Sequence, residues 1–234
     1  MESINKRQMA GGHKKMQEDN NSEGMKNSKG QRQSMSDIET GDALFESLKM
    51  DMNSLTVKMS DDLVYNGQML SGRRHGKGVI KNASGLTIYD GYFKDDLYEG
   101  EGTLVYDNGF VYNGQFERGK RTNKGFLFSS DEKYKYEGQW ANDVKSGNGT
   151  ESYPDGSYYT GEFSLNKKNG RGVYYMNDGS IYEGEFLDDK IHGSGKFTWV
   201  DSKVYEGQWK NNCIDGFGVF IRNDKIYIGT FIII

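Results

Sequence analysis

The sequence predicts an all-β protein: an elongated single-layer array of stacked β-hairpins, preceded by a disordered N-terminal arm and a short helix. Three observations lead there. A Tyr-x-Gly triplet recurs at Tyr65, Tyr89, Tyr112, Tyr136, Tyr159, Tyr182, Tyr205 and Tyr227, at spacings of 24, 23, 24, 23, 23, 23 and 22 residues, and self-similarity at such a period marks a repeat architecture. Each period carries turn residues between short alternating stretches, the pattern of a hairpin. Hydrophobic residues make up only 34% of the 234 residues, below the roughly 45–50% of a globular domain, which argues against a thick two-layer core.

The arm comes first. Residues 1–35 are rich in Asn, Ser, Gln, Lys and Gly with no apolar period; such a stretch buries too little surface to offset the entropy of ordering, so disorder is predicted over 1–40. Its mixed charges are not those of a polybasic membrane anchor. Within 41–62, Leu44, Leu48, Met52, Leu55 and Met59 recur at helical steps, with Asp42 placed to cap the first free N–H groups. The reading there is a helix and linker, either a docking or capping helix or a marginal one that frays, since Asn53 to Val57 has weak helix propensity.

The array occupies 63–234, about seven full units and a partial eighth. Four residues after each tyrosine stands a large apolar side chain (Met69, Phe93, Phe116, Trp140, Phe163, Phe186, Trp209, Phe231). Eleven residues after each of the first seven comes Gly-x-Gly, except that Asn123 replaces the first glycine of the third unit. Asn is the residue that best tolerates the left-handed backbone after glycine, so the exception itself argues for a conformational requirement. Asn108-Gly109, Asp155-Gly156 and Asp178-Gly179, with the weaker Ser84-Gly85, predict two-residue hairpin turns. In the stretch 181–186, Tyr182, Gly184 and Phe186 share one face. Stacking seats these rings over neighbouring glycines, and each aromatic buries about 150–250 Å², which is how a chain so poor in aliphatics holds together. Seven such units at two strands each span roughly 70 Å.

The pattern Tyr-x-Gly-x-(Phe/Trp)…Gly-x-Gly…(Asp/Asn)-Gly, in segments such as YEGEFLDDKIHGSGKFTW and YNGQFERGKRTNKGFLF, resembles the MORN (membrane occupation and recognition nexus) repeat over residues 65–231. The resemblance implies a repeat scaffold. Proteins built mainly of such repeats are often structural parts of cilia and cytoskeleton, radial spoke heads among them, or organisers of membrane–cytoskeleton junctions. Neither the lipid-kinase nor the SET methyltransferase domain found with such arrays elsewhere is present in this sequence.

Other chemistry is weakly indicated. The Gly-x-Gly motifs lack the third glycine and following helix of a dinucleotide site and the Gly-Lys-Ser/Thr of a P-loop, so no cofactor is expected. His13 lies in the arm, and His75 and His192 occupy one repeat position five units apart, on the order of 50 Å, too far to share a metal. Glu137, Glu183 and Glu206 stand at equivalent positions roughly 10 Å per unit apart and read as solvated strand residues rather than an acid–base dyad. No nucleophile–base set emerges, and no enzyme is expected. A net charge of −4 argues against a nucleic-acid binder. The lone Cys213, with neither a secretory signal nor a long apolar run, fits a cytoplasmic protein.

Two surfaces remain for partners. Basic inter-repeat loops carry Arg73, Arg74 and Lys77, then Arg118, Lys120, Arg121 and Lys124, then Lys167, Lys168 and Arg171; these are candidate contacts to an anionic partner such as acidic phospholipid, against the alternative of plain solvated loops. Tyr92, Tyr158 and Tyr174 fall outside the repeat register and either line a groove that binds protein or pack within the sheet. The final apolar strand predicts a covering second copy, a covering partner, or a chain that continues. The reading is thus a non-catalytic scaffold binding cytoskeletal or axonemal proteins; the alternatives are a peripheral adaptor for acidic lipids and an auxiliary subunit of a separate enzyme.

Overall fold

The computed structural model describes residues 54–232. The predicted arm and residues 41–53 of the predicted helix lie outside the described residues. Among the described residues every regular element is a strand. The first eight are β1 (Ser54–Lys58), β2 (Leu63–Leu70), β3 (Arg73–Asn82), β4 (Thr87–Lys94), β5 (Leu97–Val105), β6 (Phe110–Glu117), β7 (Lys120–Ser129) and β8 (Lys135–Ala141). They are followed by β9 (Val144–Ser152), β10 (Tyr158–Ser164), β11 (Lys167–Tyr175), β12 (Ile181–Leu187), β13 (Lys190–Thr198), β14 (Val204–Lys210), β15 (Cys213–Arg222) and β16 (Lys225–Ile232). All sixteen form one open sheet in sequence order, each antiparallel to the next. The all-β single layer is as predicted.

One element is corrected. Residues 54–58, assigned by their spacing to the end of a helix, form β1: Leu55, Thr56 and Val57 pair with Gly67, Asn66 and Tyr65. The β-branched Thr56 and Val57 suit a pleated strand better than a helix, and β2 offers an edge to pair with. The sheet therefore begins at Ser54 rather than near 63.

Two kinds of turn alternate as far as β15, and those at the Asn-Gly and Asp-Gly pairs are not the two-residue turns predicted there. At Asn108-Gly109, Gly109 donates its N–H to the Tyr106 carbonyl (3.0 Å) and Tyr106 to that of Phe110 (2.8 Å), while only Gly109 has a positive φ, 82°. That is a three-residue loop with a left-handed last residue, not a two-residue turn. The Asx before each glycine instead accepts from the residue two positions on, as Asp155 does from Ser157 (2.9 Å) and Asp178 from Ser180 (2.8 Å). Two-residue turns, with φ positive at both positions, fill the other sheet edge, as at Asp95-Asp96, Asn142-Asp143, Leu165-Asn166, Asp188-Asp189 and Asn211-Asn212, and one more, Asn223-Asp224, joins β15 to β16 at the first edge.

These tight turns staple one hairpin to the last. Asp96 donates its N–H to the Arg74 carbonyl (3.0 Å) and its carboxylate accepts the Arg74 N–H (3.0 Å). Asp143 repeats this on Arg121, Asn166 on Lys145, Asp189 on Lys168 and Asn212 on Ile191. Satisfying two backbone groups per unit offsets the roughly 1–2 kcal/mol that a side-chain-bearing residue costs in the left-handed region.

The core lies on one face. Seven tyrosines, Tyr65 through Tyr205, have 0% exposure, and each hydroxyl donates to the carbonyl three residues on, from Tyr65 to Gln68 (2.7 Å) through Tyr205 to Gln208 (3.2 Å). The rings meet the residue four positions on in edge-to-face contact, both within a unit and across to the next: Tyr136 to Trp140 (5.2 Å) and to Phe163 (5.1 Å), Tyr159 to Phe163 (5.2 Å) and to Phe186 (4.9 Å). Such pairs add about 0.5–1.5 kcal/mol beyond area burial, so the zigzag binds each unit to its neighbours. Tyr227, in the last described strand, differs from the other seven: it is 48% exposed, and nothing lies within 4 Å of a Cβ at Gly229.

Asn123 has φ 52°, matching Gly76, Gly100 and Gly193 at 64–65° in other units, so the predicted left-handed requirement holds. Asn123→Ala should cost about 1–2 kcal/mol, lowering the urea midpoint, whereas Asn123→Gly should leave it within a few tenths.

Candidate functional site

The glycines at positions two and thirteen of each unit pair across strands in one unbroken row, running through Gly102↔Gly114, Gly114↔Gly125, Gly138↔Gly149, Gly161↔Gly172, Gly184↔Gly195 and Gly207↔Gly218. A Cβ at any of these would point at the tyrosine ring. Seen from the opposite face the row is bare backbone, and it floors a groove that crosses the strands. One stretch of about 990 Å³ runs from Glu101 in β5 to Gly161 in β10, and a second of about 870 Å³ from Arg171 in β11 to Val219 in β15. They abut at the Gly161–Gly172 pair.

Strand alternation builds the walls. One wall alternates Phe126, Glu137, Thr150, Thr160, Val173, Glu183, Lys196, Glu206 and Val219, cross-strand neighbours in register. The other carries amides, carboxylates and hydroxyls on either side of a bulge. There Gln139 accepts the Asn148 N–H (2.7 Å), Glu162 that of Arg171 (2.8 Å) and Gln208 that of Phe217 (2.9 Å), which fixes those side chains along the rim. The three glutamates read from the sequence as solvated strand residues thus line one wall.

The predicted basic residues do not form one surface. Arg74, Arg121 and Lys168 turn to the ring face, because each pairs across a tight turn with the apolar residue of its own unit, as Arg74 does with Met69 and Arg121 with Phe116. Arg74 bonds Asp96 (3.2 Å) over Phe93, Arg121 bonds Asp143 (3.3 Å) over Trp140 at 4.1 Å, and Lys168 lies over Tyr153 and Tyr174. Their side chains are only 14–19% exposed, so these three belong to the packing. Lys77, Lys124 and Arg171 stand exposed beside the groove floor, while Arg73, Arg118, Lys120 and Lys167 occupy the tight-turn edge, where Asp188 holds Lys167 at 3.3 Å.

Of the tyrosines outside the register, Tyr92 is 49% exposed on the groove face, Tyr158 stacks on Tyr175 at 4.4 Å, and Tyr174 packs on the ring face beside Ser157 (3.1 Å). His75 and His192 do not meet. Among the described residues no group of His, Cys, Asp or Glu is arranged to hold a metal, and no helix is long and apolar enough to cross a membrane.

One cluster escaped the sequence reading. Lys145 (8% exposed) and Glu151 (7%) are paired within the ring face; Glu151 also accepts from Tyr134 (2.5 Å) and Tyr153 (2.7 Å). Burial alone would raise the Glu151 carboxyl, but the Lys145 ammonium and the two phenols outweigh it and hold it below the ordinary glutamate value. The signal was there: Lys145 stands nine residues after Tyr136, the position of Arg74, Arg121 and Lys168.

No curated protein sequence matches the chain. Among solved structures, the TCP domain of Drosophila melanogaster SAS-4 (dCPAP) in complex with a proline-rich motif of Ana2 aligns at 12% identity and TM-score 0.37, over 76% of this chain and 90% of that one. The TCP10 domain of Danio rerio CPAP, in complex with a STIL peptide, aligns at 11% and TM-score 0.22 over 78% and 98%. A streptogramin B lyase aligns at 12% and TM-score 0.17 over 77% and 69%. These scores are too low to mark a shared overall fold. The repeats themselves match: the MORN repeat is found at residues 65–87, 89–111, 112–132, 136–158, 159–181, 182–204 and 205–225. With seven copies in phase with the seven buried tyrosines, the chain belongs to the MORN-repeat family.

Proposed function

We propose that this protein is a non-catalytic scaffold that lays an extended segment of a partner protein along its glycine-floored groove, as part of a cytoskeletal assembly, with the ciliary axoneme the first place to look. The observation that carries the reading is the groove itself: eleven consecutive strands contribute to it, and bare backbone lets a ligand chain approach closely. Repeat arrays characteristically bind along such extended surfaces. The cytoskeletal setting rests on the family resemblance.

The test compares two faces in the full-length protein. Thr150→Arg or Val173→Glu should weaken retention of the cytoskeletal partner by roughly 30-fold or more, the scale of a central hot spot. Charge reversal of Arg118 and Lys120 at the tight-turn edge should leave it unchanged. Equal losses from both pairs of sites would contradict the groove as the docking surface.

The lipid-adaptor reading has less support, because the basic residues divide among two faces and an edge that they share with Asp95, Asp96, Asp188 and Asp189. Vesicles carrying phosphoinositide should therefore not float with the protein at physiological salt, where attraction is screened beyond about 8 Å. Salt-sensitive flotation abolished by Arg118→Glu and Lys120→Glu would restore that reading.

A further inference from the structure

The groove runs across the strands, so anything lying in it meets the walls with the period of the repeat. One unit is two strands, about 9.6 Å at the usual spacing. An α-helix rises about 1.5 Å per residue and turns every 3.6, so one unit corresponds to about 1.8 turns, and successive units meet different faces. A β-strand covers the same distance in about three residues, but its side chains alternate, so successive units meet opposite faces. A polyproline II helix advances about 3.1 Å per residue with three residues per turn, or roughly 9.3 Å. Of the three regular conformations, it alone brings the same side-chain row back to every unit.

The walls repeat at that period too. Position one of successive units is Glu137, Thr160, Glu183 and Glu206, and position fourteen is Phe126, Thr150, Val173, Lys196 and Val219. These two rows interleave along a single wall, so each unit offers either a carboxylate or a hydroxyl next to a position that is apolar in three of its five copies. From β5 to β15 the walls carry Glu101, Glu137, Glu162, Glu183, Glu185 and Glu206 against Lys124, Arg171 and Lys196, an acidic excess facing solvent. The opposite rim holds Gln139, Asn148, Ser194 and Gln208, whose amides and hydroxyl meet the one need of a polyproline II chain, which has no internal hydrogen bonds and leaves its carbonyls free to accept.

We infer that the occupant of the groove is a proline-rich segment in the polyproline II conformation with a basic residue at every third position. This rests on the groove reading above and names the partner's chemistry. Ten inter-strand steps from β5 to β15 give about 48 Å, which seats about fifteen residues at 3.1 Å each. The cations fall against Glu137, Glu183 and Glu206 along that wall, while the two proline rows, turned about 120° away, face the glycine floor and the opposite rim.

Three fluorescent fifteen-residue peptides of equal charge test it by anisotropy on the full chain. One is five repeats of Pro-Pro-Lys, one a block of ten prolines followed by five lysines, and one five repeats of Gly-Gly-Lys. The first keeps period and conformation, the second loses the period, the third loses the conformation. The first should bind about tenfold more tightly than either of the others. Glu183→Gln and Glu206→Gln should each weaken it two- to fivefold, the scale of exposed charge pairs, while Arg118→Gln and Lys120→Gln leave it unchanged. Equal binding of all three peptides, lost on raising salt, would overturn the inference and reduce it to charge attraction. Absence of binding by the Pro-Pro-Lys repeat peptide would overturn it as well. Neither result touches the groove reading, which stands or falls on Thr150→Arg and Val173→Glu.

Discussion

Gly138→Ala should unfold the middle of the sheet, at a cost of about 3 kcal/mol, the upper end of what overpacking a tight site does. A Cβ there would lie 2.5 Å from the Tyr136 hydroxyl and 2.7 Å from the Cα of Gly149. The ring cannot retreat, since edge-to-face contacts with Trp140 and Phe163 hold it, and the second obstacle is backbone. Gly72→Ala is the control: φ is +77° with nothing within 4 Å, so only the conformational cost of about 1 kcal/mol applies. Urea unfolding measures both, and hydrogen exchange of the variant should show protection falling first in β7 through β10, since each repeat leans only on its neighbours. Equal costs for the two substitutions would mean that ring and glycine are not in contact.

Glu151→Ala should cost about 3–5 kcal/mol at neutral pH, because it strands the buried Lys145 ammonium without its partner. Replacing both, as Lys145→Met with Glu151→Leu, should recover most of the loss, since a packed apolar pair is often as stable as a buried ionic one. The wild type and the double variant differ in their sensitivity to acid. The native Glu151 carboxyl titrates below its unfolded value of 4.5, so its contribution is complete above about pH 4.5 and is lost as pH falls through the lower native value. Acid unfolding of the wild type should therefore steepen in that window, and the double variant should not show this component. An Ala variant as stable as wild type would remove the pair from the structural account.

The period, the all-β class and the seating of rings over glycines were legible in the sequence because they are set by residues that sit close together and recur in phase. Asn123 shows how far this reaches: a single departure from Gly-x-Gly identified a left-handed position. The turns were misassigned for a physical reason. Asp95-Asp96 and Leu165-Asn166 are poor local signals for two left-handed residues in succession; what holds them is a hydrogen bond to the hairpin before, 21 or 22 residues earlier, which no local window contains. Three of the basic residues, Arg74, Arg121 and Lys168, lie elsewhere than on a loop surface for a similar reason. Arg74 and Arg121 look like loop cations until the register pairs each with an apolar residue of the ring face, Met69 and Phe116. The glycine floor of the groove was missed because the glycines were read only for what their missing side chains leave room for on one face, whereas the same absence exposes backbone on the other.

The central claim is that seven phenols are sealed against glycine and resist ionisation while the sheet is folded. Burial raises the pKa of all seven above the ordinary value of 10.0, because the phenolate loses its hydration there. An alkaline titration followed by phenolate absorbance, with circular dichroism on the same samples, tests this directly. At least seven of the sixteen tyrosines should remain protonated past pH 10 and ionise only as the strand signal collapses. A single reversible wave near pH 10 that ionises all sixteen with the strand signal intact would contradict it.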